Sequence, residues 1–292
     1  MRPLEPAPGK RVLIALDGSP AAFTALPFAR AIAERLHART ELVHCTAKSH
    51  ADADLWRRLE QELSGTESIR VRPQANEAAT GILQAASEPD VLLVVLTTHG
   101  RAVEGGKPLG RVAEAVIAGT SRPIVLIRPE AAVSPAGART LALRRLLIPL
   151  DGTPGTSELL QPAADLAAQL AMVVDVLYVA PPEAPVPTEP GTMGAPRYVD
   201  QPQHEWPAWK REVVDRLCAC LKRPARRPRL RTFLAHGDIA RAIVRFAEEH
   251  RTDLITLVRR SHLEPGRAAV LRTVLAEAPC PILLLGGPQS QN

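Results

Sequence analysis

The feature that most limits what this chain can fold into is an internal repeat. The run VLIALDGSP at residues 12–20 returns as LLIPLDGTP at 146–154, and SRPIVLI at 121–127 returns as PCPILLL at 279–285. The segments after each first run also match, ALPFAR at 25–30 with LQPAAD at 160–165. Solenoid repeats recur about every 20–50 residues, far shorter than this spacing, so each copy is a whole domain. With 292 residues, each half is long enough for its own core, since domains run to roughly 150 residues.

Within each copy, short apolar runs alternate with helical patterns. Val12–Leu16 is apolar throughout, as expected of a parallel strand covered on both faces. Ser19 followed by Pro20 is a helix start, and that helix is predicted to run to about His37. Further strands are expected at Thr40–Cys45, Ser68–Arg72, Val91–Leu96 and Ile124–Ile127. Helices are expected at Asp52–Ser64, Glu77–Ser87 and Leu109–Ala118. The second copy is predicted to place strands at Leu146–Leu150, Val173–Val179, Leu230–Leu234, Leu254–Val258 and Ile282–Leu285. Alternation of this kind makes a doubly wound α/β sheet with right-handed crossovers. The two aspartates Asp17 and Asp151 lie 134 positions apart and Pro123 and Pro281 lie 158 apart. The longer second copy carries a proline-rich insertion at 180–203. The expected layout is a flexible N-terminal tail at 1–10, domain 1 at 11–128, a linker at 129–144 broken by Pro129, Pro135 and Gly137, and domain 2 at 145–287.

Composition narrows the function classes. No run of about 20 apolar residues occurs, so no membrane span is expected, and the N-terminus has no apolar stretch of a signal peptide. Cys45, Cys218, Cys220 and Cys280 have neither metal spacing nor a disulfide pattern, which points to a reducing cytoplasm. The net charge of +5 suggests nucleic acid, but it is spread evenly. Residues 1–140 hold 17 Lys and Arg against 15 Asp and Glu, and the remainder holds 19 against 16. The one dense basic stretch, Lys222–Arg231, lacks interleaved aromatics in a chain with nine in all. It reads as a solvated connection rather than a nucleic-acid face.

Chemistry belongs where strand order reverses, outside the carboxyl ends of the strands. Two loops of domain 1 converge there: Asp17-Gly18-Ser19, and the stretch TTHGRAVEGGKPLGRV at 97–112. Gly100 and Gly110 allow close backbone approach and positive φ. Amides at the following helix start suit an anion, with Arg101, Lys107 and Arg111 supplying charge. Asp17 either takes a ribose, an adenine amine or a phosphate-bound metal, or organises its own turn. His44 and Cys45 are placed in the pocket wall, and His99 on a surface loop. No nucleophile–base pair or paired carboxylates appear, so no enzyme is expected.

Together the LDGSP of strand one, the THGR after strand four, and the LGRVAEAV start of the helix before PIVLI resemble the universal stress protein family, in tandem form. The resemblance spans nearly the whole chain apart from the tail and the insertion. It implies five-stranded sheets in the order 3-2-1-4-5, adenine nucleotide alpha hydrolase-like, with ATP or AMP bound in some members through Gly-x2-Gly-x9-Gly-Ser/Thr. This chain keeps Gly100 and Gly110 but has Thr97 at the first glycine and Arg111 at the hydroxyl position. The resemblance places Asp17 and the Val43 backbone at adenine and ribose. It places Leu96, Gly100, Gly110, Arg111 and Val112 along the phosphates, with Thr97 and Arg101 as further candidates of the nucleotide site and Mg2+ present only with nucleotide. Thr97 adds a Cβ in the nucleotide's path, and Arg111 either pairs with a phosphate or fills the site. In domain 2, Val258, Ser261, Ala268 and Ala269 take the motif positions, so neither nucleotide nor cofactor is expected there.

Ile124–Ile127 and Ile282–Leu285 are apolar sheet edges that would be exposed if left unpaired. Antiparallel pairing of the two within one chain is expected, and the resemblance, whose single-domain members dimerise through this strand, points the same way; pairing of two such chains into a homodimer is left open. The reading is a non-catalytic cytoplasmic stress-response protein with a degenerate adenine-nucleotide site in domain 1. The alternative is a nucleotide-free interaction protein that binds an unidentified protein partner.

Overall fold

The structure is a computed structural model that describes residues 9–46, 68–73, 77–99, 109–132, 143–150, 154–180, 228–259 and 265–286. The predicted helix at Asp52–Ser64, the proline-rich insertion beyond Ala180, and Gly100, Arg101 and Asp151 lie outside these residues. The chain divides into two compact units, one built on 5–142 together with 280–286, the other on 143–279.

In the first unit, β1 (Arg11–Ala15), β2 (Arg39–Thr46), β3 (Ser68–Pro73), β4 (Val91–Thr97) and β5 (Ile124–Ile127) form a parallel sheet in the order 3-2-1-4-5. Val12, Leu13 and Ile14 are fully buried, and every residue of β4 is buried. This is the outcome that continuous apolar runs encode, because helices cover both faces. The strand Ile282–Gly286 (β10) belongs to this unit and lies antiparallel on β5, with Ile282 opposite Leu126 and Leu284 opposite Ile124.

The first helix departs from expectation. It is two pieces, α1 (Pro20–Phe23) and α2 (Leu26–Arg35), instead of one run to His37. Pro27 has no N–H to return to Phe23, so the chain tightens before it. The amides of Thr24 and Ala25 bond three residues back, to Ala21 and Ala22, and His37 sits at φ 51° beyond the end. Among the described residues three further helices follow, α3 (Ala78–Ser87), α4 (Arg111–Gly119) and α5 (Pro129–Ala132). The last gives regular structure to the start of the predicted linker.

The second unit repeats the scheme with β6 (Arg145–Leu150), β7 (Val173–Ala180), β8 (Leu230–His236) and β9 (Leu254–Arg259), parallel and ordered β9-β6-β7-β8. Its helices among the described residues are α6 (Pro154–Gln169), α7 (Ile239–Glu249) and α8 (Pro265–Glu277). Pro162, the counterpart of Pro27, is retained inside the unbroken α6.

Each unit buries a carboxylate on its second strand. Glu41 is 3% exposed and pairs with Arg11, whose guanidinium also reaches Glu88 and Asp90 at 2.6 Å each. The bond from Arg11 holds the Asp90 carboxyl below its ordinary range. Asp175, 134 positions after Glu41, is fully buried and accepts both Arg231 Nε and Nη2 at 2.6 Å. Arg231, read from sequence as part of a solvated basic stretch, is therefore a structural counter-ion. The signal was Asp175 itself, a lone carboxylate inside an apolar strand that burial obliges to find a partner.

Candidate functional site at the strand ends

The first unit has a cleft of about 260 Å³ at the carboxyl ends of β1 and β4. It opens where strand order reverses between these two neighbours, as an open parallel sheet dictates. One wall begins with the turn after β1. Gly18 at φ 79° makes the reversal, Asp17 Oδ1 accepts the Ser19 amide at 2.9 Å, and Ser19 Oγ caps α1 by accepting from the Ala22 amide at 3.1 Å. The turn-organising role weighed for Asp17 is thus present, and Asp17 also lines the cleft.

Val43, Leu96, Thr97, Gly110, Arg111 and Val112 line the same cleft. Folding brings these residues from β2, β4 and the start of α4 to Asp17. The Val43 carbonyl accepts the Leu16 amide at 3.0 Å, continuing the β1–β2 ladder to the rim. His44 is not in the wall: it is buried with Nδ1 2.9 Å from the Leu16 carbonyl, while its neighbour Cys45 faces the cleft. His99 is half-buried with Nδ1 3.2 Å from Thr98 Oγ1, not a freely solvated loop residue. Sequence reasoning missed Ala78 and Ile82 of α3, which close the apolar side. The spacing of these residues marks only a buried helix face, and nothing in it says what that face meets.

Gly110 corrects another expectation. It adopts φ −78° and ψ 156° at the N-cap of α4, a conformation open to any residue. Its amide donates to the Thr98 carbonyl at 2.9 Å. A Cβ there would meet Thr98 O at 3.5 Å and His99 Cα at 4.0 Å, both ordinary contacts. The fold does not itself require glycine here; what glycine does is leave the cleft edge bare. Beyond it α4 begins without a side-chain cap, so first-turn amides such as those of Val112 and Ala113 have no intrahelical acceptor. Val112 is 42% exposed at this edge.

The second unit differs at the same place. Its helix α8 starts at Pro265, four residues before Ala269, the counterpart of Arg111. The amides of Ala268, Ala269 and Val270 therefore fall past the unpaired first turn and are consumed inside the helix. Arg259, at the end of β9, is half-buried, and burial lowers its pKa.

Residues 142–286 match the model of the universal stress protein family. The chain belongs to that family. No curated protein sequence matches the chain. Among solved structures it is similar to a universal stress protein from Archaeoglobus fulgidus, with 13% identity and TM-score 0.60, covering 96% of this chain and 99% of that one. A functionally unknown protein from Pseudomonas aeruginosa PAO1 aligns at 14% identity and TM-score 0.62, covering 95% and 92%. A further putative universal stress protein, from Pseudomonas aeruginosa UCBPP-PA14, aligns at 14% and 0.62, covering 95% and 93%. Identities this low establish the fold, while the family rests on the matched residues. No helix among the described residues is long and apolar enough to cross a membrane.

Proposed function

We propose that this universal stress protein binds an adenine nucleotide, ATP or AMP, in its first unit and does not turn it over. The observation that carries this reading is the convergence of Asp17, Val43, Leu96, Thr97, Gly110, Arg111 and Val112 on one cleft at the strand switch point. The apolar side suits a base. The helix start and Arg111 suit phosphate. At about 260 Å³ the cleft is close to the lower end of ligand pockets, roughly 300 Å³, the size for a mononucleotide with its phosphates leading outward. Mg2+ would arrive only with the nucleotide. The lining described here holds no histidine, and its carboxylate already serves its own turn, which favours binding over catalysis.

The second unit, with its first-turn amides displaced by the early start of α8, binds no nucleotide in this reading. The register of Ile282–Leu284 against Leu126–Ile124 supports pairing of the two apolar edges within one chain in a cytoplasmic protein. Calorimetric titration of the whole chain with ATP and AMP, with and without Mg2+, is the direct test. One site per chain is expected. Absence of both heat and thermal shift up to millimolar nucleotide would leave the partner-binding alternative standing in its place.

A further inference from the structure

β1 ends at Ala15, but both main-chain groups of Leu16 are still tied to β2. Its amide donates to the Val43 carbonyl at 3.0 Å, and its carbonyl lies 2.9 Å from His44 Nδ1. A carbonyl oxygen only accepts, so Nδ1 carries a proton and donates it. The bond closes on the peptide that joins Leu16 to Asp17, and a peptide is planar. Fixing its oxygen therefore fixes the plane from which the Asp17 turn leaves the sheet. That turn lines the cleft and is closed by the bond from the Ser19 amide to Asp17 Oδ1 at 2.9 Å.

His44 does not itself reach the cleft. It stands between Val43 and Cys45, which do, and side chains alternate along a strand. It is 7% exposed, and an aliphatic residue would fill such a place without the cost of burying a polar ring. The repeat supplies a comparison. In the second unit the matching residues are Leu150 and Tyr178, opposite one another in the β6–β7 register, and a phenol carries its one polar atom at the far end of the ring. Histidine thus stands in the unit whose turn meets the cleft, and tyrosine in the unit read as binding no nucleotide. We propose that His44 is a positioning residue of the nucleotide site: its Nδ1–H clamps the Leu16–Asp17 peptide to β2 and so aims Asp17 into the cleft. A carboxylate repels phosphate, so the part of the ligand that Asp17 meets is the nucleoside. The assignment rests on the nucleotide reading above and adds to it a residue outside the cleft.

With histidine labelled at its ring nitrogens, NMR of the full wild-type chain should show the His44 proton on Nδ1; a proton on Nε2 alone would overturn the proposal before any substitution is made. His44→Leu removes the donor, and His44→Asn returns one near the place of Nδ1. Thermal unfolding and amide exchange in β4 show whether each variant is folded. In ligand-free protein, exchange of the Ser19 amide should quicken about 3–10-fold in His44→Leu, the range of one neutral hydrogen bond, and slow again in His44→Asn. AMP and adenosine should both weaken by a similar factor in His44→Leu and recover in His44→Asn. Unchanged Ser19 exchange in folded His44→Leu would overturn the clamp whether or not nucleotide binds. Unaltered affinity for both ligands, or a loss for AMP without one for adenosine, would overturn the positioning role. A loss that folded His44→Asn does not recover would do the same, by making the packing of the ring its cause. A wild-type chain that binds neither ligand fails the nucleotide reading and this assignment with it, while Ser19 exchange still reports separately on the clamp.

Discussion

Gly110→Asp should make the protein slightly more stable while abolishing nucleotide binding. The main chain at Gly110 already has N-cap geometry, φ −78° and ψ 156°, and a Cβ meets nothing closer than Thr98 O at 3.5 Å. Aspartate is a preferred N-cap, a few tenths of a kcal/mol better than glycine. Its charge faces the positive end of α4 for about 0.3–1 kcal/mol more. A gain near 1 kcal/mol raises Tm by about 2–4 °C in a domain of this size. The amides that stabilise the new carboxylate are those offered to phosphate in the reading above, and two negative charges about 4 Å apart repel by about 4 kcal/mol at an effective dielectric near 20. Affinity should therefore fall by more than a hundredfold. Gly110→Asn separates the terms, since it caps equally well without the charge and should lose less. Thermal unfolding and AMP calorimetry on the same preparations decide the matter. A Tm several degrees below wild type would refute the capping geometry, and AMP binding within threefold of wild type would refute the placement of phosphate at this helix.

Three other outcomes are expected. Arg231→Ala should destabilise the chain by about 3–5 kcal/mol in urea unfolding, because it leaves a fully buried Asp175 carboxylate without its counter-ion; adding Asp175→Val should recover much of the loss, and a mild effect of the single variant would show that water replaces the guanidinium. Asp90 is held below its ordinary pKa chiefly by its bond to Arg11. Its contribution is thus complete above the unfolded value near pH 4 and is lost as pH falls through the lower folded value. Asp90→Asn should flatten that acid limb of stability against pH, whereas an unchanged limb would assign it to other carboxylates. Cys45 lines the cleft, so AMP should slow its alkylation by iodoacetamide, read by peptide mass spectrometry; identical rates with and without saturating AMP would place the nucleotide elsewhere.

The strands and their parallel alternation with helices were legible in the residues alone, while the order of the sheet came from the resemblance to a known family. A strand buried on both faces must be written as an apolar run, as in Val12–Leu16 and Val91–Leu96, and the turn at Asp17, Gly18, Ser19 and Pro20 carries its own backbone geometry in those four residues. The repeat then allowed each copy to be checked against the other. The tertiary structure decided what depends on which segments meet. Ala78 and Ile82 enter the cleft from a helix some sixty residues beyond Asp17, and their pattern names a buried face without naming its neighbour. Gly110 looked like a residue chosen for positive φ, yet its backbone is ordinary and its bareness matters only toward the cleft. The break before Pro27 and the continuity through Pro162 come from prolines at matching positions, so local propensity cannot separate them. Arg231 read as solvated charge until β7 placed Asp175 beside it. Cys280–Gly286 reads as the last strand of the second copy but packs as part of the first unit. Periodicity reports how a segment divides its faces between core and water; the partner on the core side is chosen by long-range packing, which no local pattern records.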